Sequence, residues 1–248
     1  MRNAVKYKAV LFDASLTLWQ WNYDPVFLHF KKHAHDPALV LLQAIKCAGV
    51  DVDEQELRRC YETLRPVYAQ KWRVFESDGR GATEAQIQAH FDQQDKELLR
   101  ILNLSDPSGR IMETIHRAFE QWRPSLYPEV REVLEALRAH GFDLAIVSNG
   151  WQQAVEAKRL GVAQFFSAIV GSVHVGCAKP QSQIFELALQ QLGRLPEEAV
   201  HVGDDYDDDV MGARSAGIDP ILLDRDGDTE REDVLTIRTL KELPSLVF

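Results

Sequence analysis

The chain has 248 residues, 45% of them hydrophobic, and a formal net charge of −10 from 38 acidic and 28 basic side chains, which suits one large domain or one domain with an insert. Such an acidic balance argues against nucleic-acid binding, where phosphate neutralisation demands a basic face. No apolar run approaches the roughly 18 residues of a membrane span, and MRNAVKYKAVLFD lacks the apolar core and small residues of a signal peptide, so the expectation is a soluble cytoplasmic protein with no membrane contact.

The first element in chain order is the short apolar run KAVLF at 8–12, which ends at Asp13. Runs of this kind bounded by polar turns fit buried parallel strands. From about residue 20 to 122 the pattern becomes helical, with candidates at Asp53–Gln70, Thr83–Leu102 and Pro107–Trp122 and no convincing strand. Thr83 followed by Gln86 forms a Thr-x-x-Gln capping box. The sheet is expected to resume near Tyr127. Val130, Val133, Leu134 and Leu137 recur at helical spacing, with Pro128 at the start and Gly141 at the stop. Further short strands follow at Leu144–Val147, Ala168–Val170, Ala199–Val202 and Pro220–Leu223. Ile184, Leu187, Ala188 and Leu192 mark a helix that Gly193 ends. Strand alternating with helix predicts an α/β fold, a Rossmann-like doubly wound parallel sheet. Its core is expected over 1–18 and 123–248, with an α-helical insert over 19–122 at the carboxyl end of the first strand, where such sheets bind ligands.

Four segments at predicted strand ends carry chemistry. Asp13 follows the first strand; a poorly solvated carboxylate there can act as a nucleophile, or serve as a turn-forming Asp. Ser148-Asn149-Gly150 offers a hydroxyl and backbone N–H groups for an anion, or a plain helix cap. Lys179-Pro180 supplies a compact cation, or an exposed lysine. His201 to Val210 places five carboxylates, from Asp204 to Asp209, within six residues. Oxygen-rich clusters suit Mg²⁺, although an acidic loop can also be merely solvated. The three cysteines, Cys47, Cys60 and Cys177, show no CxxC spacing and read as small buried apolar residues.

In this order the four segments resemble the haloacid dehalogenase superfamily: a strand then Asp-x-x-x-Thr (Asp13, Thr17), a strand then Ser148, Lys179-Pro180, and a strand then Gly203-Asp204 with Asp209 beyond. The similarity extends to SVHVGCAKPQSQIF at 172–185 and DDVMGARSAGI at 208–218. It implies that Asp13 is the nucleophile and a metal ligand. Ser148, Asn149 and Gly150 would hold the phosphate of a small phosphorylated substrate, with Lys179 pairing Asp13 and substrate. Mg²⁺ would be held by Asp13, the Ser15 carbonyl and Asp204. Asp209, with Asp205 as a further candidate, would hold metal-bound water. The 19–122 insert stands where the family carries a helical cap. Oligomeric state is open between monomer and homodimer.

Two positions depart from the family. Its phosphatases carry a second Asp two residues after the nucleophile, as general acid and base; here it is Ser15, and such a loss typically costs about 10²–10⁴ in rate. Leu16 replaces the usual Gly. Three readings follow: a phosphatase-like hydrolase of unusual activity, a metal-independent 2-haloacid dehalogenase, or a non-catalytic relative that binds a ligand or partner. A phosphonate-cleaving variant of the first would need a lysine such as Lys46 or Lys71.

The insert's aromatics, including Tyr23, Phe27, Tyr61, Tyr68, Trp72 and Phe75, read as packing. Trp19 and Trp21 are the candidates to line a pocket. Arg73, Arg80 and Gly79–Gly81 suggest a loop that meets substrate. His29, His33 and His35 read as surface residues.

Overall fold

The computed structural model describes residues 7–22, 37–121, 123–228 and 231–248. Tyr23, Phe27, His29, His33 and His35, all singled out above, lie outside the described residues. The chain divides into two compact units, one comprising Met1–Gln20, Phe75–Gly81 and Pro124–Phe248, the other Trp21–Val74 and Ala82–Arg123.

The first unit is built on six strands: β1 Ala9–Phe12, β4 Asp143–Ser148, β5 Ala168–Gly171, β6 Ala199–Gly203, β7 Asp219–Leu223 and β8 Leu235–Ile237. They form one sheet in the order β5-β4-β1-β6-β7-β8, and every pair is parallel. The apolar runs become strands because both faces are covered. Val10 and Phe12 of β1 pack into one cluster with Leu144, Ile146 and Val202. Ala9 and Leu11 pack into the opposite cluster with Ala145, Val147 and Phe185. Alternate side chains thus feed two cores, which is why these strands read as continuous apolar runs. Burying one such Leu, Ile or Phe stabilises by about 1.5–3 kcal/mol. The helices of this unit are α5 Val130–Ala139, α6 Gln153–Arg159, α7 Ser172–Val175, α8 Ser182–Leu192, α9 Gly212–Ser215 and α10 Leu243–Val247. Gly193 ends α8 in the left-handed conformation, φ 64°, as its sequence position predicts.

The second unit holds α1 Pro37–Cys47, most of α2 Glu54–Phe75, α3 Glu84–Ile101 and α4 Arg110–Gln121. Leu41, Ile45, Leu57, Leu98 and Ile115 form its core. Thr83 caps α3 through the expected reciprocal box with Gln86.

Four expectations are corrected. A short strand β2, Trp19–Asn22, pairs with β3, Arg123–Leu126, in a separate two-stranded sheet, so the insert is not free of strand and the main sheet resumes only at β4. Of the cysteines only Cys177 is buried; Cys47 is exposed, and Cys60 is half-buried at the border of the helical unit's core. Trp19 is 1% exposed within the sheet unit's core, so its side chain is packing. The 79–81 stretch belongs to the sheet unit, where the Gly79 N–H donates to the Gly176 carbonyl at 3.0 Å.

Candidate active site

β1 lies between β4 and β6, so the residues that follow β1, β4 and β6 meet at one sheet edge. The Asp13 N–H donates to the Val202 carbonyl at 2.9 Å, which carries the β1–β6 ladder one step past the strand. The Asp13 side chain then stands over the end of β6. Lys179 reaches the same point: its Nζ donates to Asp13 Oδ1 and to Asp209 Oδ1, each at 2.6 Å. The lysine side chain is 3% exposed and Asp209's 1%, so water screens neither.

Lys179 is fixed from behind. Its main-chain N–H donates to Asn149 Oδ1 at 2.8 Å, and its carbonyl accepts from Asn149 Nδ2 at 3.0 Å. Asn149 Nδ2 also donates to Asp208 Oδ2 at 3.0 Å. The Asn149 side chain is therefore a tie between the loops after β4 and β6, which its sequence position did not disclose. The peptide bond Lys179–Pro180 is cis. Ser148 is buried and its Oγ accepts from Gln153 Nε2 at 3.3 Å. The Gly150 N–H is committed to Ser172 Oγ at 2.9 Å, and Ser172 Oγ in turn donates to Glu76 Oε1 at 2.7 Å. Gly150 thus shapes this corner while its amide serves Ser172.

After β6 the chain makes a π-helical turn over Tyr206–Met211, an irregularity common at functional sites. It brings Asp209 back under Gly203. Asp209 Oδ2 accepts the Asp205 N–H at 3.0 Å, and Oδ1 pairs with His201 Nε2 at 2.9 Å as well as with Lys179. The His201 Nε2 must carry a proton to meet an ionised carboxylate. Its Nδ1 is buried without a partner among the described residues. Of the acidic run, Asp205 caps the turn through the Asp208 N–H, and Asp207 is exposed. Asp204 faces the site and accepts from Thr17 Oγ1 at 3.2 Å.

Asp13, Asp204 and Asp209 offer carboxylate oxygens that lie within 4.8 Å of one another. Two unit charges at about 4 Å cost roughly 4 kcal/mol at an effective dielectric of 20, and one ammonium cannot neutralise three carboxylates. The titrations express this excess. Asp204 is pushed up to about 7 by burial and by the charges of Asp13 and Asp209. Burial, with Asp209's charge, also raises Asp13 against the pull of Lys179. Asp209 is held below the usual carboxylate range despite its burial, because Lys179 and His201 both stabilise its charge. Lys179 is raised, burial being outweighed by Asp13 and Asp209. The donor set is oxygen only, partly anchored and short of positive charge, which fits a hard divalent cation. Asp209 has three partners already, so Asp13 and Asp204 keep the freer lone pairs.

Ser15, just before the turn at 16–18, forms an isolated β-bridge with Trp19. Two residues of the site give little sign in the sequence: His201, which looks like an ordinary strand residue, and Arg225, which binds the carbonyls of Leu16 and Thr17. Only the position of Arg225, two residues beyond β7, signalled it.

A family model described as haloacid dehalogenase-like hydrolase matches residues 7–217. The chain is 31% identical over 235 residues to a glyceraldehyde 3-phosphate phosphatase of Methanothermobacter thermautotrophicus, which covers 92% of this chain and 90% of that protein. It is 30% identical to a ribulose-1,5-bisphosphate 5-phosphatase of Halopiger xanaduensis over 96% of this chain and 98% of that one. Among solved structures, a 2-haloacid dehalogenase from Pseudomonas syringae superposes with a TM-score of 0.67 at 23% identity, covering 97% of each chain; at that identity the likeness speaks for the fold.

Proposed function

The chain belongs to the haloacid dehalogenase-like hydrolases, and we propose that it is a Mg²⁺-dependent phosphatase that takes a phosphoryl group from a small phosphorylated metabolite onto Asp13. One observation carries this reading above the others: Asp13, Asp204 and Asp209 converge within 4.8 Å around a single buried ammonium. The phosphatase names of the full-length relatives support the same class. A metal-independent dehalogenase has no use for three carboxylates packed together, which disfavours that alternative.

In this reading Asp13, Asp204 and the Ser15 carbonyl would hold the cation, and Asp209 would hold metal-bound water while it anchors Lys179. Mg²⁺ would supply charge neutralisation at the phosphoryl oxygens, the dominant effect in phosphoryl transfer. Asp13 has one oxygen paired to Lys179; its other oxygen forms a bond to phosphorus as the bond to the leaving oxygen breaks. Lys179 keeps its proton throughout and spreads positive charge between Asp13 and the incoming phosphate. Ser148 Oγ and the Asn149 amide receive the phosphate oxygens. Water then attacks phosphorus as the bond from Asp13 to phosphorus breaks, which releases inorganic phosphate, passes the water's proton to solvent or to the phosphate, and returns the Asp13 carboxylate. Ser15 cannot donate a proton to the leaving oxygen near neutral pH, so that proton comes from solvent or from the substrate itself. We assign residues 1–18 and 123–248 to the catalytic core and the helical stretch 19–122 to a cap. No helix among the described residues is long and apolar enough to cross a membrane; we place the enzyme in the cytoplasm, as a monomer or homodimer without nucleic-acid partners.

The test is an assay of purified protein with p-nitrophenyl phosphate and, separately, 2-chloropropionate. Phosphate release that disappears with EDTA and with Asp13→Asn is the expected result. Chloride release without metal would transfer the chain to the dehalogenase class, and silence in both assays would leave a binding protein.

A further inference from the structure

In the turn that follows Asp13, the carbonyls of Leu16, Thr17 and Leu18 are bound from outside the turn. Leu16 N–H donates to the Trp19 carbonyl, and the Leu18 and Trp19 N–H groups donate to the Ala14 carbonyl. The Leu18 carbonyl accepts from the Tyr127 N–H at 3.2 Å. The carbonyls of Leu16 and Thr17 remain, and Arg225 takes both: Nε donates to Leu16 O at 3.1 Å and Nη2 to Thr17 O at 2.8 Å.

The guanidinium is itself held on its other edge and on its face. Nη1 donates to Glu129 Oε1 at 2.7 Å, and the same oxygen accepts from Thr239 Oγ1 at 3.3 Å. The Cζ atom stands 3.6 Å from the Tyr127 ring centroid. Arg225's side chain is 17% exposed and Glu129's 7%, so the pair is shielded enough to have a fixed geometry. A planar fork that satisfies two carbonyls and a carboxylate at once is a task lysine cannot perform. The turn needs such a fork, because Leu16 sits at φ 63°, a left-handed conformation that is unfavourable for an L-residue and relaxes unless its surroundings over-determine it.

We propose that Arg225, backed by Glu129, is a positioning residue that locks the 14–19 turn and so sets where Thr17 and Ser15 present their oxygens to the Asp13–Asp204 site. The route is short. The Thr17 carbonyl is bound by Arg225 while its hydroxyl donates to Asp204, so one residue links the clamp to a carboxylate of the site. Glu129 keeps its charge: burial works against it, but the hydrogen bonds from Arg225 and Thr239 hold it below the ordinary range. The catalytic part of the inference rests on the phosphatase reading; the clamp on the turn does not.

The experiment compares wild type with R225K and with the R225M/E129Q pair, which removes both charges and leaves no buried carboxylate unpaired. Amide hydrogen exchange is followed over residues 13–19, Mg²⁺ affinity by calorimetry, and kcat and KM with p-nitrophenyl phosphate. Expected are faster exchange confined to 14–19 with β1 and β6 unchanged, Mg²⁺ binding about tenfold weaker, the low end of what losing an outer partner costs, and kcat lower by roughly 10- to 100-fold with KM near the wild-type value. R225K, if the double variant does not fold, should show the same pattern in weaker form. Unchanged exchange over 14–19, or a lowered Tm with kcat and Mg²⁺ affinity within about twofold of wild type, would overturn the assignment. Should the wild type lack phosphatase activity, the proposed function fails by itself and the exchange pattern alone decides on Arg225.

Discussion

The Asp209 carboxylate fills the space that a side chain on Gly203 would need: a Cβ built there falls 2.1 Å from Asp209 Cγ. Gly203 is thus required by the fold-back of the π turn, which delivers Asp209 to Lys179 and His201. Gly203→Ala must displace Asp209 from both partners. Overpacking and broken buried pairing together should cost about 2–5 kcal/mol, read as a drop in Tm, and hydrolysis should fall with it. A variant that melts like wild type and keeps its rate would mean that Asp209 has another resting place.

Lys179 answers two buried carboxylates at once, so its removal is predicted to be worse than the removal of either. Lys179→Met leaves Asp13 and Asp209 facing each other, with an expected loss of about 3–5 kcal/mol and no measurable turnover. Adding Asp13→Asn to that variant should restore part of the stability and none of the activity. Equal melting temperatures for the single and double variants would show that the carboxylates do not repel through this site.

Much of this was legible in the chain. Five strands of the main sheet announced themselves because both sheet faces are covered there, which turns each into an unbroken apolar run, while the edge strand β8, with Leu235 exposed, did not; Thr83, Gly141 and Gly193 punctuate their helices by local rules. The candidate site residues were nameable from four motifs, since each follows a strand and the strand order brings the ends together. What remained hidden depends on contacts between distant segments. WQWN at 19–22 pairs with residues 123–126, a hundred positions on. The role of His201 depends on Asp209 folding back, and that of Arg225 on its meeting Leu16 and Thr17, some 209 positions away. The Leu16 conformation was equally unreadable, because nothing local asks a leucine to adopt it.

The stability of the metal-free protein should fall as pH rises through the range from about 4 to 7. Asp204 has a folded pKa of about 7 against an ordinary 3.8, so in that window the folded state binds more protons than the unfolded state, and stability declines with pH until the group is ionised in both. A shift of that size is worth at most about 4 kcal/mol, and screening of this partly exposed group brings the expectation to about 1–2 kcal/mol. Asp95, in α3, is also pushed up to about 7, by burial and Asp92, and acts with the same sign. The comparison that isolates Asp204 is therefore wild type against Asp204→Asn. The variant should melt higher than wild type above pH 7 without Mg²⁺, lose the difference near pH 4, and show no rise in Tm when Mg²⁺ is added. An identical pH profile for the two proteins would remove Asp204 from the charge cluster.

Leu16→Gly should stabilise the protein. Leu16 is 40% exposed, so little apolar burial is lost, while relief of the φ 63° strain gains about 1–2 kcal/mol and the added freedom of glycine in the unfolded chain takes back about 0.5–1. The net expectation is a rise of up to about 1 kcal/mol, or about 2–4 °C in Tm. A fall in Tm would mean that the Leu16 side chain makes contacts worth more than the strain.

Ser15→Asp is predicted to raise phosphatase turnover. The serine hydroxyl can neither protonate a leaving alkoxide nor deprotonate water near neutral pH, and a positioned carboxyl typically contributes about 10²–10⁴. Part of that gain is offset, because a further carboxylate beside Asp13 and Asp204 adds repulsion that only the cation relieves; the benefit should therefore appear at saturating Mg²⁺ and shrink when Mg²⁺ is limiting. It should also depend on the leaving group. An alkyl phosphate, whose alkoxide needs a proton to depart, should gain more than p-nitrophenyl phosphate, whose phenolate leaves unaided. Rates for both substrates across a Mg²⁺ titration test this directly: an equal gain for the two, or no gain for either, would mean that proton delivery does not limit the wild-type enzyme.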